Sequence, residues 1–564
     1  MTWLVKNLLP LFLLFWVAIN LLQAGFTEVD PDEAYYWMYS KELAWGYFDH
    51  PSAIALFIKT GFYLFPGAVG LRLFSALFQT GTFYLIWLII GKPKETTNLS
   101  FLIILFAAMP MLQVYSFIST PDAPLLFFSA LFLYLYQQFL SKSTWVNALL
   151  LGACMAALLH SKYHGILLIG FVLLSNLRLL QNVKFWAASI WGFLLFFPHL
   201  FWQYQNDFPS FRYHLSGRDD VYEFKYTLTY LFNQVVIFSP LMLPFILLAI
   251  KRFKASNLFE RSWKLMIIGV WTLFLVLTLK GHAEPQWTAI LSIFFVLLLY
   301  KEGETNPKSR KWIRIAGIST IVIIGLARIF LLLPLQGLDS DFHKREWIQV
   351  LKDKAAGAPV LFMDSYRDPS KYSFYARTEA YTLTDVYYRK NQYDLWDWEQ
   401  RLHNQKVFIV TQGNLECQAC QDLELPNRGS KKYLVADSFQ VSQNVWLKSS
   451  FKLDTVEIGK TYTVSIEIEN PYTHQIETTL GTLPLQLQVV LQNAETEYLE
   501  WYPLEYESNT WPPGTTKIEQ VKFTIPDWTK TGPKAILYFG IRTGDLFPAI
   551  NSKGAPILLS NPKQ

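Results

Sequence analysis

The sequence predicts a polytopic α-helical membrane protein of about eleven transmembrane helices, followed by an extracytoplasmic region built from a small α/β part and a β-sandwich. Three observations carry that prediction. Apolar residues make up 52% of the 564-residue chain and are bunched rather than spread. Between Leu8 and Pro334 they form blocks of roughly 18 to 22 residues, each long enough to cross a hydrocarbon core of about 30 Å. Lysines and arginines fall in alternate connections between the blocks, and after Leu335 the composition shifts to mixed charge, turn residues and short alternating runs.

Taken in order, the blocks occupy about 7–26, 70–91, 99–117, 122–140, 145–161, 164–180, 184–204, 226–250, 264–281, 286–301 and 312–334. The first is long and lacks a small-residue cleavage site, so it reads as a retained span and not as a signal peptide. Lys6, Lys92, Lys94, Lys142, Arg178, Lys184, the group from Lys251 to Lys264, and Lys308 to Arg314 all fall on one side, which the positive-inside rule makes cytoplasmic. An odd number of crossings then puts the loop after the first span, and everything beyond about residue 335, outside the cytoplasm. The expected location is an inner membrane. These loop cations account for the net charge of +5, and no basic-aromatic strip suggests a nucleic-acid partner.

The expected organisation is therefore a membrane domain over 1–335, an α/β domain over 336–438 and a sandwich over 439–564. Within the second, a helical pattern from Phe342 to Lys354 alternates with strand candidates at 359–363 and 406–410. Within the third, the alternating runs 462–468 and 485–491 are divided by Pro, Gly and Asn turns. Cys154 sits in an apolar block and reads as a packing residue. Cys417 and Cys420 lie in the extracytoplasmic part, where a local disulfide is favoured over a redox or metal role or free thiols.

The residues with chemistry to offer lie at the outer ends of the spans. In Asp30-Pro31-Asp32-Glu33, Asp30 suits an N-cap, Pro31 the first helical position and Glu33 the closing member of a capping box. That leaves Asp32 unexplained, along with the aromatic wall of Tyr35, Tyr36, Trp37 and Tyr39. Asp49-His50-Pro51 precedes a stretch, Ser52 to Leu64, too short to span and suited to the interface. Asp49 can cap that helix, or it can face the same space as Asp32.

Asp122, in Thr120-Pro121-Asp122, is either a first-turn acid favoured by the helix dipole or a functional carboxylate. Lys162 and His164 follow the fifth block, where a lysine either snorkels or meets a phosphate. In the loop after the seventh block, His214 and Arg218 fall four apart and suit an anionic oxygen. His282, Glu284 and Trp287 link the ninth and tenth blocks, where an imidazole, an acid and an indole suit a sugar ring.

Acids, cations and aromatics delivered to one face suit a phosphate plus a sugar. Lys162, His214, Arg218 and His50 are the candidates for the phosphate; Tyr35, Tyr36, His164, His282, Glu284 and Trp287 are those for the sugar or acceptor. A carboxylate among Asp32, Glu33, Asp49 and Asp122 can take a proton from a hydroxyl attacking an anomeric carbon. A phosphate leaves as a stable anion, so one base suffices where a glycosidase needs two carboxylates, and the transfer is expected to invert the anomeric centre.

These motifs resemble those of the GT-C glycosyltransferases, specifically bacterial relatives of the protein O-mannosyltransferases and lipid A aminoarabinose transferases. The resemblance rests on Asp32 to Trp37, Tyr47 to Pro51, Thr120 to Asp122 and Ser161 to Gly165, and it covers about 1–335. It implies that Asp32 and Glu33 match the family's acid pair in the first external loop, with Asp32 the leading base. Asp122 matches a further family acid, and His214 and Arg218 resemble a histidine and an arginine of a later loop. Where aminoarabinose transferases have acid-lysine-proline, this chain has Asp49-His50-Pro51, which leaves His50 or Lys162 to take the lysine's place. The implied donor is a polyprenyl-phosphate sugar, and the implied acceptor an envelope lipid, glycan or protein. Some relatives bind a divalent metal and others none; here Asp49 and His214 are the ligand candidates.

Two other readings fit less well. A transporter or flippase of lipid-linked sugars places ionisable groups near the bilayer midplane, with repeated halves; here they cluster at span ends. A membrane-anchored glycan-binding module does not require so many spans.

Overall fold

Runs of Leu, Phe, Ile and Val in hydrocarbon have one local solution for their backbone, the α-helix, which satisfies its own N–H and C=O groups. The computed structural model describes residues 7–215, 222–333, 341–363, 365–413, 415–451, 454–527 and 529–560. The chain divides into two units, Met1–His343 and Lys344–Gln564.

Among the described residues of the first unit, five helices are long and apolar enough to cross a bilayer: Leu8–Phe26, Ala68–Ile89, Asp122–Ser141, Val183–Gln205 and Pro307–Leu332. Several of the other expected spans are interrupted. The 99–117 block is two helices, Thr96–Ala107 and Pro110–Val114, because Pro110 cannot donate a helical hydrogen bond and biases Met109 to extended backbone. The 226–250 block breaks between Phe224–Ile237 and Leu243–Arg252, where Ser239 adopts a φ of 67° ahead of Pro240. The 286–301 block begins with a 3-10 turn, Pro285–Thr288, and continues as the helix Leu291–Thr305.

Burial patterns explain how these helices stack. Leu291–Thr305 is apolar on every side and buried from Leu291 through Tyr300, as a helix at the centre of a bundle must be. Pro307–Leu332 buries only Ser309, Ile313, Gly317 and Thr320, one narrow stripe at helical spacing. Val183–Gln205 also buries one stripe, Phe185, Ala188, Gly192, Phe196, His199 and Gln203, which turns polar toward its end. That stripe packs against Trp145–Ser161 through glycines. A Cβ on Gly192 would lie 2.8 Å from the Gly152 carbonyl oxygen, and one on Gly152 would lie 2.3 Å from that of Ala188. Small residues bring the two backbones together here. Cys154 is buried, as its packing role requires.

The second unit contains both of the expected soluble parts. Strands β1 (Val360–Met363), β2 (Ala380–Leu383), β3 (Val407–Thr411), β4 (Gln421–Leu425) and β5 (Gly429–Ala436) form one sheet in the order β2-β1-β3-β5-β4. β1 runs parallel to both β2 and β3, and helices Glu346–Ala355 and Arg367–Ala376 accompany them. Cys417 and Cys420 form a disulfide. The sandwich pairs a sheet containing Leu485–Asn493 and Lys534–Thr543 with one containing Trp446–Ser449, Thr461–Glu469 and Thr516–Thr524. Alternating burial along Thr516–Thr524 is what a strand with one wet face requires.

Where the two parts meet, the buried Glu399 carboxylate accepts hydrogen bonds from Ser442 N, Gln443 N and the Tyr472 hydroxyl. Burial pushes this carboxyl up to about 7 from 4.5, against those donors. The folded protein therefore holds a proton on Glu399 that the unfolded chain releases above about 4.5. Its contribution to stability is fully present below that value and is lost as pH rises through about 7. Glu399→Gln is expected to remove this component. The unfolding midpoint of the second unit, followed by calorimetry on the full chain, should then fall less between about pH 5 and about pH 8 than in the parent.

Candidate active site

The helix Pro31–Lys41 begins as its sequence requires. Asp30 caps it, accepting from Asp32 N at 2.9 Å, and Glu33 Oε2 accepts from Asp30 N at 3.1 Å. Glu33 has a further occupation. Its carboxylate is fully buried and pairs with the equally buried Arg72, whose Nε donates to Oε1 at 2.7 Å and whose Nη2 donates to Oε2. The remaining Arg72 donors reach the carbonyls of Ala24 and Thr27, both at 2.8 Å, and Glu28 at 3.0 Å. Ser119 N also donates to Glu33 Oε1, at 2.6 Å. One ion pair thus ties together the end of the first span, the start of the Asp32 helix, the Ala68–Ile89 helix and the Ser119 loop that leads into Asp122.

Asp122 and Lys162 form a buried ion pair, with Nζ 2.8 Å from both carboxylate oxygens. Asp122 opens its helix, and Lys162 caps the end of Trp145–Ser161, so two connections on the same face meet here.

Asp49 is also buried. Its Oδ2 accepts from the Tyr35 hydroxyl at 2.9 Å and the Tyr39 hydroxyl at 3.1 Å. The two tyrosines share a helix face because they are four residues apart. Burial, then the neighbouring Tyr35 phenol, then the Asp49 charge push the Tyr39 hydroxyl far above its ordinary value, so it stays a donor. His214, on the short helix Pro209–Leu215, donates from Nε2 to the Asp49 carbonyl oxygen at 3.0 Å. The His50 ring lies 5.6 Å from Tyr36 and 6.4 Å from His214.

A hydrogen-bonded chain joins this loop to the Val183–Gln205 helix. His199 donates from Nδ1 to the Trp45 carbonyl at 2.8 Å, which leaves Nε2 to accept from the Tyr163 hydroxyl at 3.0 Å. Gln203 donates to Tyr163 and to Ser210, and Ser210 donates to the Tyr47 carbonyl at 2.8 Å. Burial raises the Tyr163 phenol well above its ordinary value. Tyr163 lies 5.7 Å from His214, ring to ring, and so bridges the Lys162 connection to the Asp49 cluster.

Most of the residues singled out in the sequence are gathered in this way. Asp32 is half-buried on the helix clamped by Glu33. Tyr35, Tyr36, Asp49, His50 and His214 form one cluster. His164 stacks near Phe274 and Trp287, at 5.5 and 5.7 Å. His282 and Glu284 approach each other at 3.9 Å on a more exposed connection. Arg218 lies outside the described residues. Among the described residues, no three His, Cys, Asp or Glu side chains are arranged to hold a metal. The two metal-ligand candidates, Asp49 and His214, meet through the His214 Nε2 bond to the Asp49 carbonyl.

The sequence assigns no role to Arg72, His160, His199 or Gln203, and His160 Nδ1 lies 3.0 Å from the Ser52 hydroxyl. Arg72, His160 and His199 each stand in an otherwise apolar block. An ionisable residue in such a place is the signal that marks it.

Residues 49–202 match the family model described as dolichyl-phosphate-mannose-protein mannosyltransferase. The chain is similar in structure to ArnT from Cupriavidus metallidurans bound to undecaprenyl phosphate. The TM-score is 0.57 at 14% identity, over 76% of this chain and 98% of that one. It is also similar to the apo state of that protein, with a TM-score of 0.55 at 14% identity over 75% and 97%. No curated protein sequence matches the chain.

Removing Arg72 alone would leave the Glu33 carboxylate buried without its partner. Arg72→Met is expected to cost about 3–5 kcal/mol of stability, and Arg72→Met combined with Glu33→Met to recover most of that loss, as read by unfolding in detergent.

Proposed function

The membrane unit has the GT-C glycosyltransferase fold, and on that premise we propose that the chain moves a sugar from a polyprenyl-phosphate donor to an envelope acceptor at the extracytoplasmic face of the inner membrane, with inversion. The observation that carries this reading is the joining of the Asp32 helix to the buried Asp122–Lys162 pair through Glu33, Arg72 and Ser119. A carboxylate at a helix start and a lysine at a helix end are thereby held in one assembly. The bound undecaprenyl phosphate of the structural neighbour supports a lipid-phosphate donor.

Asp32 takes the proton from the incoming acceptor hydroxyl as that oxygen attacks the anomeric carbon. The bond to the phosphate oxygen breaks as the new glycosidic bond forms, and the lipid phosphate departs as an anion. Lys162 supplies positive charge for that anion, with Asp122 holding the ammonium in place between turnovers. His214 and His50 add imidazole donors on the Asp49 side. Tyr35 and Tyr39 fix Asp49, and through it the loop that carries His50. Glu33 acts through Arg72 as a positioning residue. His164 and Trp287 provide an aromatic wall for a sugar ring.

Asp32→Asn is expected to reduce transfer from an undecaprenyl-phosphate sugar by at least about a thousandfold, consistent with loss of a general base together with its orienting role, while donor binding stays within about twofold. Near-parental turnover by the purified variant would remove Asp32 as the base. Lys162→Ala is expected to weaken donor binding and to slow the transfer step. Unchanged donor affinity and rate would remove Lys162 from the leaving-group site.

A further inference from the structure

One cation of the membrane unit is met by amides where an ion pair would be expected. Arg328 lies about one turn before the end of Pro307–Leu332 and is half-buried against the last two turns of Leu8–Phe26. Its Nη1 donates to Gln113 Oε1 at 2.8 Å, its Nη2 to Asn20 Oδ1 at 2.9 Å and its Nε to Gln23 Oε1 at 3.5 Å. The guanidinium also sits 4.7 Å from the Phe117 ring centroid. Among the described residues, no carboxylate pairs with Arg328, and neither Asp122 nor Lys162 touches it.

The three amides are committed to this arrangement. Asn20, Gln23 and Gln113 are all buried, and each gives its N–H elsewhere: Asn20 to the Trp16 carbonyl at 2.7 Å, Gln23 to the Thr27 hydroxyl at 2.8 Å and Gln113 to the Ala107 carbonyl at 2.8 Å. Their oxygens are thereby aimed at the guanidinium. Amide dipoles orient a charge without cancelling it, and an arginine keeps its proton, so one positive charge stands uncompensated in an apolar setting. Of the guanidinium N–H groups, the three bonds leave one on each terminal nitrogen without an acceptor among the described residues. Those two are the prongs that a phosphate accepts together.

The surroundings decide what carries the anion. Leu22 and Phe26 on the first span and Leu326 and Ile329 on the last are all more than half exposed. A Cβ on Gly325, about one turn below Arg328, would meet nothing within 4 Å. An apolar surface with open space beneath a cation close to the helix ends suits an acyl chain below its headgroup. We propose that Arg328 binds the phosphate of a membrane lipid, with Asn20, Gln23 and Gln113 holding the guanidinium fork and the hydrocarbon chain lying over Gly325. This is a second lipid-phosphate site, beyond the one the transferase reading places at Lys162.

The test is native mass spectrometry of the full chain in detergent, titrated with phosphatidylglycerol, undecaprenyl phosphate and uncharged diacylglycerol, on the parent, Arg328→Gln and Gly325→Phe. Saturable retention of a phosphate-bearing lipid, and not of diacylglycerol, is expected. Arg328→Gln should weaken it about tenfold and Gly325→Phe about threefold. The unfolding midpoint of Gly325→Phe should not fall below the parent's, since glycine is a poor residue inside a helix. If the Arg328-dependent lipid is phosphatidylglycerol, the site belongs to a bilayer lipid; if it is undecaprenyl phosphate, to a carrier lipid. Equal retention of diacylglycerol, no saturable retention of either phosphate lipid, displacement by equimolar inorganic phosphate, or unchanged affinity in Arg328→Gln overturns the proposal. If Arg328→Gln unfolds, Gly325→Phe decides, and parental affinity there overturns it. Parental retention in Lys162→Ala keeps this site separate from the leaving-group site, whereas loss of both lipids in that variant overturns the second site.

Discussion

The buried Glu33–Arg72 pair is the constraint on which the rest of the membrane unit depends. Both charges are fully buried, so each is tolerable only while the other stays in place with its hydrogen bonds complete. Arg72 spends its donors on three carbonyls at the end of the first span, and Glu33 accepts from the Asp32 helix and the Ser119 loop. A geometry that requires so many partners at once has few alternatives. The chain segments that carry Asp32 and Asp122 therefore cannot drift apart without exposing a charge to hydrocarbon.

Around that fixed point, the site is built from side chains whose hydrogen-bonding roles are set by their neighbours. His199 gives its Nδ1 proton to a carbonyl, and that decides which nitrogen Tyr163 meets. Tyr35 and Tyr39 donate to one oxygen of Asp49 and leave the loop's position determined before any substrate arrives. Such prior ordering is what a transfer reaction with a departing phosphate rewards, since most of its catalysis is electrostatic placement.

Much of this was legible in the sequence, and the reason is that local rules governed it. The capping box at Asp30 and Glu33, the paired tyrosines four apart, the strands near 360, 407 and 485 and the Cys417–Cys420 bridge all follow from short spacings. What local rules could not supply were partners distant in sequence. Nothing near Glu33 announces that Arg72 will neutralise it, and nothing near Asp122 that Lys162 will. Helical periodicity also ran through breaks at Pro110 and Pro240 that the backbone could not bridge. The charged residue stranded in an apolar run was the clue, and its meaning became clear only once the bundle had closed.

The glycine contact between Trp145–Ser161 and Val183–Gln205 bears on how such a site is held. Gly192 stands seven residues before His199, roughly 10 Å along the helix. A single methyl there would act as a wedge, prising the two rods apart and fanning their outer tips, where His160 and His199 sit. The spacing of the two helix ends is thus set in part by a contact between two glycines two to three turns away.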